Sequence, residues 1–588
     1  MYDLKLLKVL LHYKVINIIV KMSVVSSRVS SVSSILKTPG VRSQLIRQSN
    51  RVHFKLPKNL KSIIYNFEAG NGTKDYEDLI CILRDSNIKD TDLIEFLSNV
   101  RQCISLLGPI HKVFVETLLQ IKWTNRSIDV TSAYKAFIED LICMQIHYAK
   151  NTIDNLVEQF KPDEDNDAEW KNEECKEEDI QRLNHIHNVL QKILKVVPMS
   201  SKLLLQSLRA RFPYIVHGTR THEVYVNALI QIISYAPQLR SDILSLIINR
   251  LMVLDVNIPR LEIENEEDED LMDDTSECDS ILSNVNNVVE ENNITQTDKI
   301  HPIAHKLDLC MELILKYMYN CCFINGVLQV ECLRSLYFDI LQIFETVILP
   351  THASQYVQYI MFYICSFKTV VAEAFVDWLW RKASDPNVPS IIRQSSVVYI
   401  ASLLVAATFV TTGLVKAVQF KISKWIHDYI NMQDHSNYRE DENKEHSVFY
   451  SVCEALFLII TKRHNDYPDS KKYMLYLQEL DLAKIITCKL NPLKACHPEI
   501  AHSFAEITRI YQLAYCYTVI ENNTRNQLPL FDSKKGTTPT VEIFSPFNSY
   551  TLQRSRHRII PVLRDNVNSR QHRTSMKYRE DIEYMTEY

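Results

Sequence analysis

This chain makes very little use of glycine. Only 8 of its 588 residues are Gly, about 1.4% where globular proteins average roughly 7%. Phosphate-cradling loops need several glycines at fixed offsets so that backbone N–H groups can approach the anion. Neither G-x-G-x-x-G nor G-x-x-x-x-G-K-[ST] occurs. Tight β-hairpins also draw on Gly for positive φ, so an all-β chain is disfavoured. With 46% hydrophobic residues there is ample material for a large core. These constraints favour a helical chain that does not bind nucleotides through these motifs.

From about Lys74 the apolar residues recur with the 3.6-residue period of an amphipathic helix. "DYEDLICILRD" places Tyr76, Leu79, Ile80 and Leu83 on one stripe. "DTDLIEFLSNVRQCISLL" follows, opened by Asp90 or Thr91 and closed near Gly108-Pro109. "SAYKAFIEDLICMQIHYAKNTIDNLVEQF", "IQRLNHIHNVLQKILKVV" and "HEVYVNALIQIISYAP" continue the pattern. Paired helices with short connections, repeating every 35 to 45 residues or so, point to an α-solenoid of the HEAT type. The fold class expected is therefore all-α.

Charge divides the chain. Residues 1–60 carry eleven Lys/Arg against one acid, Asp3, and are Ser-rich, so they read as a largely disordered extension. Met22 makes a plausible alternative start, with residues 1–21 dispensable. Helical repeats then fill 61–260, interrupted by an acidic insertion near 161–179. An acidic linker occupies 261–299, where Glu262 to Asp279 holds eleven acids and no basic residue. More repeats fill 300–530, and a basic tail covers 531–588.

The run Gln394–Val415 has no charge over 22 residues, long enough to cross a bilayer. It also carries Ser395, Ser396, Ser402, Thr408, Thr411 and Thr412, a heavy polar load for a lipid-facing span. Two shorter helices buried all round, parting near Thr412-Gly413, account for it better than a membrane does.

Candidate chemistry is sparse. The fourteen cysteines are scattered, with only Cys321-Cys322 adjacent and no C-x-x-C, so they read as reduced core thiols. His301 and His305 have the i,i+4 spacing of helical ligands, and His185 and His187 form a second pair, but neither has a companion to complete a metal site. They read as surface or capping histidines. No nucleophile motif occurs, and neither an enzyme nor a cofactor is expected. Ser200 and Ser201 follow the helix-breaking Pro198. They read as N-cap serines, and a phosphate there would meet a helix N-terminus and Lys202. Ser545-Pro546 is the clearest proline-directed site in the tail. "RSRHR" offers Arg554, Arg556 and Arg558 as a nuclear import signal, a nucleic-acid contact or a plain solvated tail.

Three stretches carry a resemblance. "LPTHASQYVQYIMFYICSFKTVVAEAFVDWLWRKASDPNVPSIIRQ", "LNPLKACHPEI" and "FAEITRIYQLAYCYTVIENNTRNQLP" resemble the RNA polymerase I-specific transcription initiation factor family. "RVHF", "KWTNRS", "RFPY" and "HPIAHKLD" are weaker matches in the family's order, spanning roughly residues 50 to 560. The resemblance implies a non-catalytic HEAT-repeat factor that binds RNA polymerase I at its stalk side. It also implies a link to the promoter-bound selectivity factor at ribosomal RNA genes, in the nucleus and nucleolus, under control by phosphorylation. The family's regulatory Ser/Thr pair aligns with Met199-Ser200, so Ser200, or Ser201 by a register slip, inherits that role. The family's longer acidic C-terminus is replaced by a basic one. A DNA contact through the tail and a homodimer of the free protein are compatible with this reading. The alternative from composition alone is a general HEAT-repeat transport or scaffold protein.

Overall fold

The computed structural model describes residues 56–564, leaving out 58, 72, 86–87, 163–176, 260–300, 353, 435–445, 468–469, 528–545 and 548–549. The expected N-terminal extension and most of both acidic segments therefore lie outside the described residues, as does Ser545. Contacts divide the chain into two compact units, Met1–Phe96 and Leu97–Tyr588. In the first, α1 (Leu60–Glu68) packs on α2 (Thr73–Asp85), with the Phe67 and Tyr76 rings stacked 3.9 Å apart. Helix α3 (Asp90–Cys103) begins in this unit and ends in the next.

The second unit continues with α4 (Lys112–Leu119), α5 (Ile128–Met144), α6 (Ala149–Glu158) and α7 (Glu177–Val196). Next come α8 (Ser200–Ala210), α9 (Thr219–Tyr235) and α10 (Arg240–Val256). After residues 260–300 the chain forms α11 (Pro302–Cys322), α12 (Val330–Ile343), α13 (Tyr359–Ser366) and α14 (Thr369–Ser384). Helices α15 (Ser390–Ala406), α16 (Thr412–Asp434) and α17 (Ser447–Arg463) build the densest part of the core. Shorter helices follow: α18 (Ser470–Glu479), α19 (Leu482–Thr487), α20 (Pro492–Ala495), α21 (Pro498–Ile510) and α22 (Cys516–Gln527). A final turn of helix, α23, spans Arg556–Ile559.

Prolines start helices here. Pro302, Pro492 and Pro498 each sit in a first turn, where the missing N–H breaks no intrahelical bond. His301 caps α11 by accepting from the Ile303 N–H, and His497 caps α21 through the Glu499 N–H. Of the i,i+4 pair, His301 is thus a cap, while His305 lies within α11.

Many of the helices pack on the next but one along the chain. Helix α5 meets α7, α6 meets α8, α7 meets α9, α9 meets α11, α10 meets α12, and α15 meets α17. That order is the signature of stacked helical pairs, so the fold is all-α and solenoid-like. The stack passes straight over residues 260–300, because α11 packs on both α9 and α10. The division into units falls at Phe96 and Leu97, while the acidic linker is an insertion between two packed helices.

The uncharged run is indeed two helices, and no described helix is long and apolar enough to cross a membrane. The break comes at residues 407–411, earlier than Thr412-Gly413, which instead begins α16. An outside partner decides this. Ala407 bridges to Leu563, and the Thr408 N–H donates to the Val562 carbonyl at 3.0 Å. One small hairpin interrupts the helices: Phe323–Ile324 (β1) pairs with Val327–Leu328 (β2). Its turn residues Asn325 and Gly326 both have positive φ, 51° and 78°, as a tight I′-type turn requires.

Candidate regulatory and interaction sites

The loop Val197-Pro198-Met199 separates α7 from α8. Neither serine caps a helix: Met199 stands at the N-cap, and Ser200 is the first helical residue. Pro198 stops α7, but the chain re-enters helix one residue before a serine could cap it. The Ser200 side chain is fully buried, and its hydroxyl donates to the Val197 carbonyl. Ser201 is half-buried and Lys202 exposed. Ser200 thus offers no exposed hydroxyl in this turn, whereas Ser201 is partly open to solvent. Met199 and Val196 are exposed beside it, an apolar rim on the same turn.

The ends of the acidic insertion are held by a residue that periodicity did not single out. Arg182, on α7 and buried, donates to the carbonyls of Gln159, Phe160 and Lys161 at the C-terminal end of α6. It also donates to Asp179 at 3.3 Å, and Arg220 reaches the same carboxylate at 2.7 Å. The cation thus gathers the carbonyls of the three residues just past the end of α6. An arginine in the second turn of a helix gives no sequence signal that separates this role from a solvated one.

His187 and His185 take different partners. His187 is buried, with Nδ1 3.0 Å from the Tyr235 hydroxyl, and burial lowers its pKa to about 3. His185 lies 3.0 Å from Lys135 Nζ, and burial followed by that cation lowers its pKa. Among the described residues no group of three His, Cys, Asp or Glu is placed to hold a metal ion.

Part of the basic tail is built into the fold. Residues 546–547 and 550–564 lie against α11, α13, α15 and the turn after α17. The anchors Phe547, Tyr550, Leu552, Ile559 and Leu563 are buried, but their spacing matches neither a helix nor a strand, so periodicity passed over them. Arg558 pairs with Glu312 at 3.0 Å and is mostly buried, while Arg554 and Arg556 are exposed. Of the three arginines offered as an import signal, a nucleic-acid contact or a solvated tail, Arg558 is turned inward.

A second carboxylate organises the adjoining turn. Asp255, buried at the end of α10, accepts from the backbone N–H groups of Gln355, Tyr356 and Val357, each at 3.0 Å. Burial raises its pKa, against the three donors, which favour the charged form.

Comparison with known proteins fits this architecture. The family model described as "RNA polymerase I specific transcription initiation factor RRN3" matches residues 56–565. The chain belongs to that family. The mouse "RNA polymerase I-specific transcription initiation factor RRN3" is 33% identical over 523 residues, covering 85% of this chain and 79% of that protein. The fission yeast (Schizosaccharomyces pombe) rrn3 factor is 22% identical over 494 residues, covering 79% and 78%. In three dimensions the chain is similar to the "Crystal Structure of RNA Polymerase I Transcription Initiation Factor Rrn3", with a TM-score of 0.67 at 20% identity. That match covers 86% of this chain and 97% of the other, so the RRN3 fold takes in both the stack on either side of residues 260–300 and nearly all of the known structure. The family is one of transcription initiation factors.

Proposed function

We propose that this RRN3-family protein binds RNA polymerase I at its stalk side and bridges it to the promoter-bound selectivity factor at ribosomal RNA genes. It does so in the nucleolus, and phosphorylation of the α7–α8 turn tunes the contact. The observation that carries the reading is the family match over residues 56–565, a span that takes in the whole described stack. Stacked helical pairs present long surfaces without a pocket, which suits a bridge between two large assemblies. Ser201, half-buried at the start of α8 beside Lys202, is the residue better placed to take a phosphate as the protein stands. The exposed Arg554 and Arg556 are the candidates for a DNA contact.

The test is affinity purification of the tagged full chain from nuclear extract, followed by mass spectrometry and promoter-dependent transcription in extract depleted of the factor. Recovery of RNA polymerase I subunits, without those unique to the other nuclear polymerases, together with restored ribosomal RNA synthesis, supports the bridge. Recovery of import receptors and cargo, with no restored synthesis, overturns it.

A further inference from the structure

The segment of residues 546–547 and 550–564 lies on the stack as a peptide lies on its receptor. Two of its sockets are aromatic. Phe547 packs on Phe362 at 4.9 Å and Tyr359 at 5.4 Å, and Tyr550 packs on Tyr359 at 4.8 Å. Its backbone is read at several points: the Phe547 N–H donates to Ser402 Oγ at 3.0 Å, and the Pro546 carbonyl accepts from Gln358 Nε2 at 2.7 Å. Asp308 of α11 is a buried carboxylate, and its described hydrogen bonds all come from this segment, through the Arg554 and Ser555 N–H groups and the Ser555 hydroxyl. The far end closes by strand-like pairing at the 407–411 break, where the Arg564 N–H donates to the Ala406 carbonyl at 2.9 Å. The Arg564 side chain pairs with Asp466 at 2.5 Å.

Charge fits as well. Residues 546–564 hold Arg554, Arg556, Arg558 and Arg564 and no acid, facing Asp308, Glu312 and Asp466. The segment has little structure of its own, one turn of α-helix and one 3-10 turn. The body imposes its conformation, and it is joined to α22 through residues 528–545.

We propose that the groove between α11, α13 and the end of α15 is a peptide-binding site, and that residues 546–564 are its exchangeable intramolecular ligand. The recognised chemistry is an aromatic pair three residues apart, then a small hydroxyl residue on a buried carboxylate, then arginines. While the segment is seated, Arg558 and Arg564 are spent on Glu312 and Asp466. Release frees both, together with the aromatic sockets.

The experiment uses the full chain with a protease site inserted among residues 530–544 and a fluorescent synthetic peptide of residues 546–564. Before cleavage the labelled peptide does not bind. After cleavage the fragment stays associated on size exclusion, and the labelled peptide exchanges into the groove, as read by anisotropy. A peptide carrying Ser555→Glu, which sets a second carboxylate against Asp308, competes at least tenfold less well. In an uncleaved chain, Phe547→Ala opens the groove and lets the labelled wild-type peptide bind. The proposal is overturned if the cleaved chain keeps its melting temperature but never admits the peptide. It is equally overturned if cleavage unfolds the protein, since the segment is then inseparable core, or if the Ser555→Glu peptide competes as well as wild type.

Discussion

Single buried polar residues set the conditions under which this protein is stable. His187 and His222 both have folded pKa values below the ordinary value of about 6.5, near 3 and 4, with burial the main cause in each. The unfolded chain therefore binds more protons than the native one between pH 6.5 and 4, and stability falls as the pH drops through that window. Each histidine accounts for up to about 1.4 kcal/mol per pH unit. Urea melts of wild type and His187→Gln from pH 7 to 4 are expected to show the shallower slope in the variant. Arg182→Met is expected to cost about 3 kcal/mol, because it strips a donor from three carbonyls, that of Phe160 buried, and removes one of the cations on Asp179. Ser200→Asp places an uncompensated charge in the core and is expected to lower the melting temperature by several degrees, about 2 kcal/mol or more. Ser201→Asp, half-exposed near a helix N-terminus, leaves the melt within about 0.5 kcal/mol of wild type.

Among the elements, the hairpin at Phe323–Leu328 shows how local chemistry overrides a helical context. Asn325-Gly326 is the strongest short hairpin signal a sequence can carry, yet it stands alone between two strongly periodic helices. Nothing lies within 4 Å of a Cβ built on Gly326, so a side chain there meets only the backbone cost of φ 78°. Gly326→Ala is expected to destabilise the native state by about 1 kcal/mol, and the loss should appear in hydrogen exchange of the hairpin before it appears anywhere else. Helix α15 shows the opposite case. It is covered by both α14 and α17, and its serines find partners inside the protein, one local and one distant: Ser396 donates to the Ile392 carbonyl, and Ser402 accepts from the Phe547 N–H. The polar load that argued against a lipid-facing span is used inside the protein.

For the second unit as a whole, continuity of the stack matters more than the charge blocks. Residues on either side of 260–300 are joined by packing of α9 and α10 on α11 and by Arg240 on Asp339 at 2.5 Å. The Asp255 contacts with residues 355–357 and the Lys306 bond to the Ile215 carbonyl at 2.7 Å add to this. Limited proteolysis within 262–299 is therefore expected to nick the chain without separating it. The two fragments should co-elute on size exclusion and melt in one transition, whereas independent domains would part and melt separately.

What the sequence determined by itself was the kind of structure. Scarce glycine and a sustained 3.6-residue period leave helices as the way to bury 46% hydrophobic residues, and prolines mark where several of them begin. Those signals are local, since each depends on neighbours within one or two turns. The turn holding Ser200 and Ser201 was legible in the same way, from Pro198. The remaining features depend on residues brought together over long separations. The depth of Ser200, the grip of Arg182 on the end of α6, the capture of Ser555 by Asp308 and the break at Ala407 each require a partner whose position the tertiary structure alone supplies. The C-terminal segment is the plainest instance. Its buried residues follow the shape of a groove, and that shape exists only once the helices have stacked.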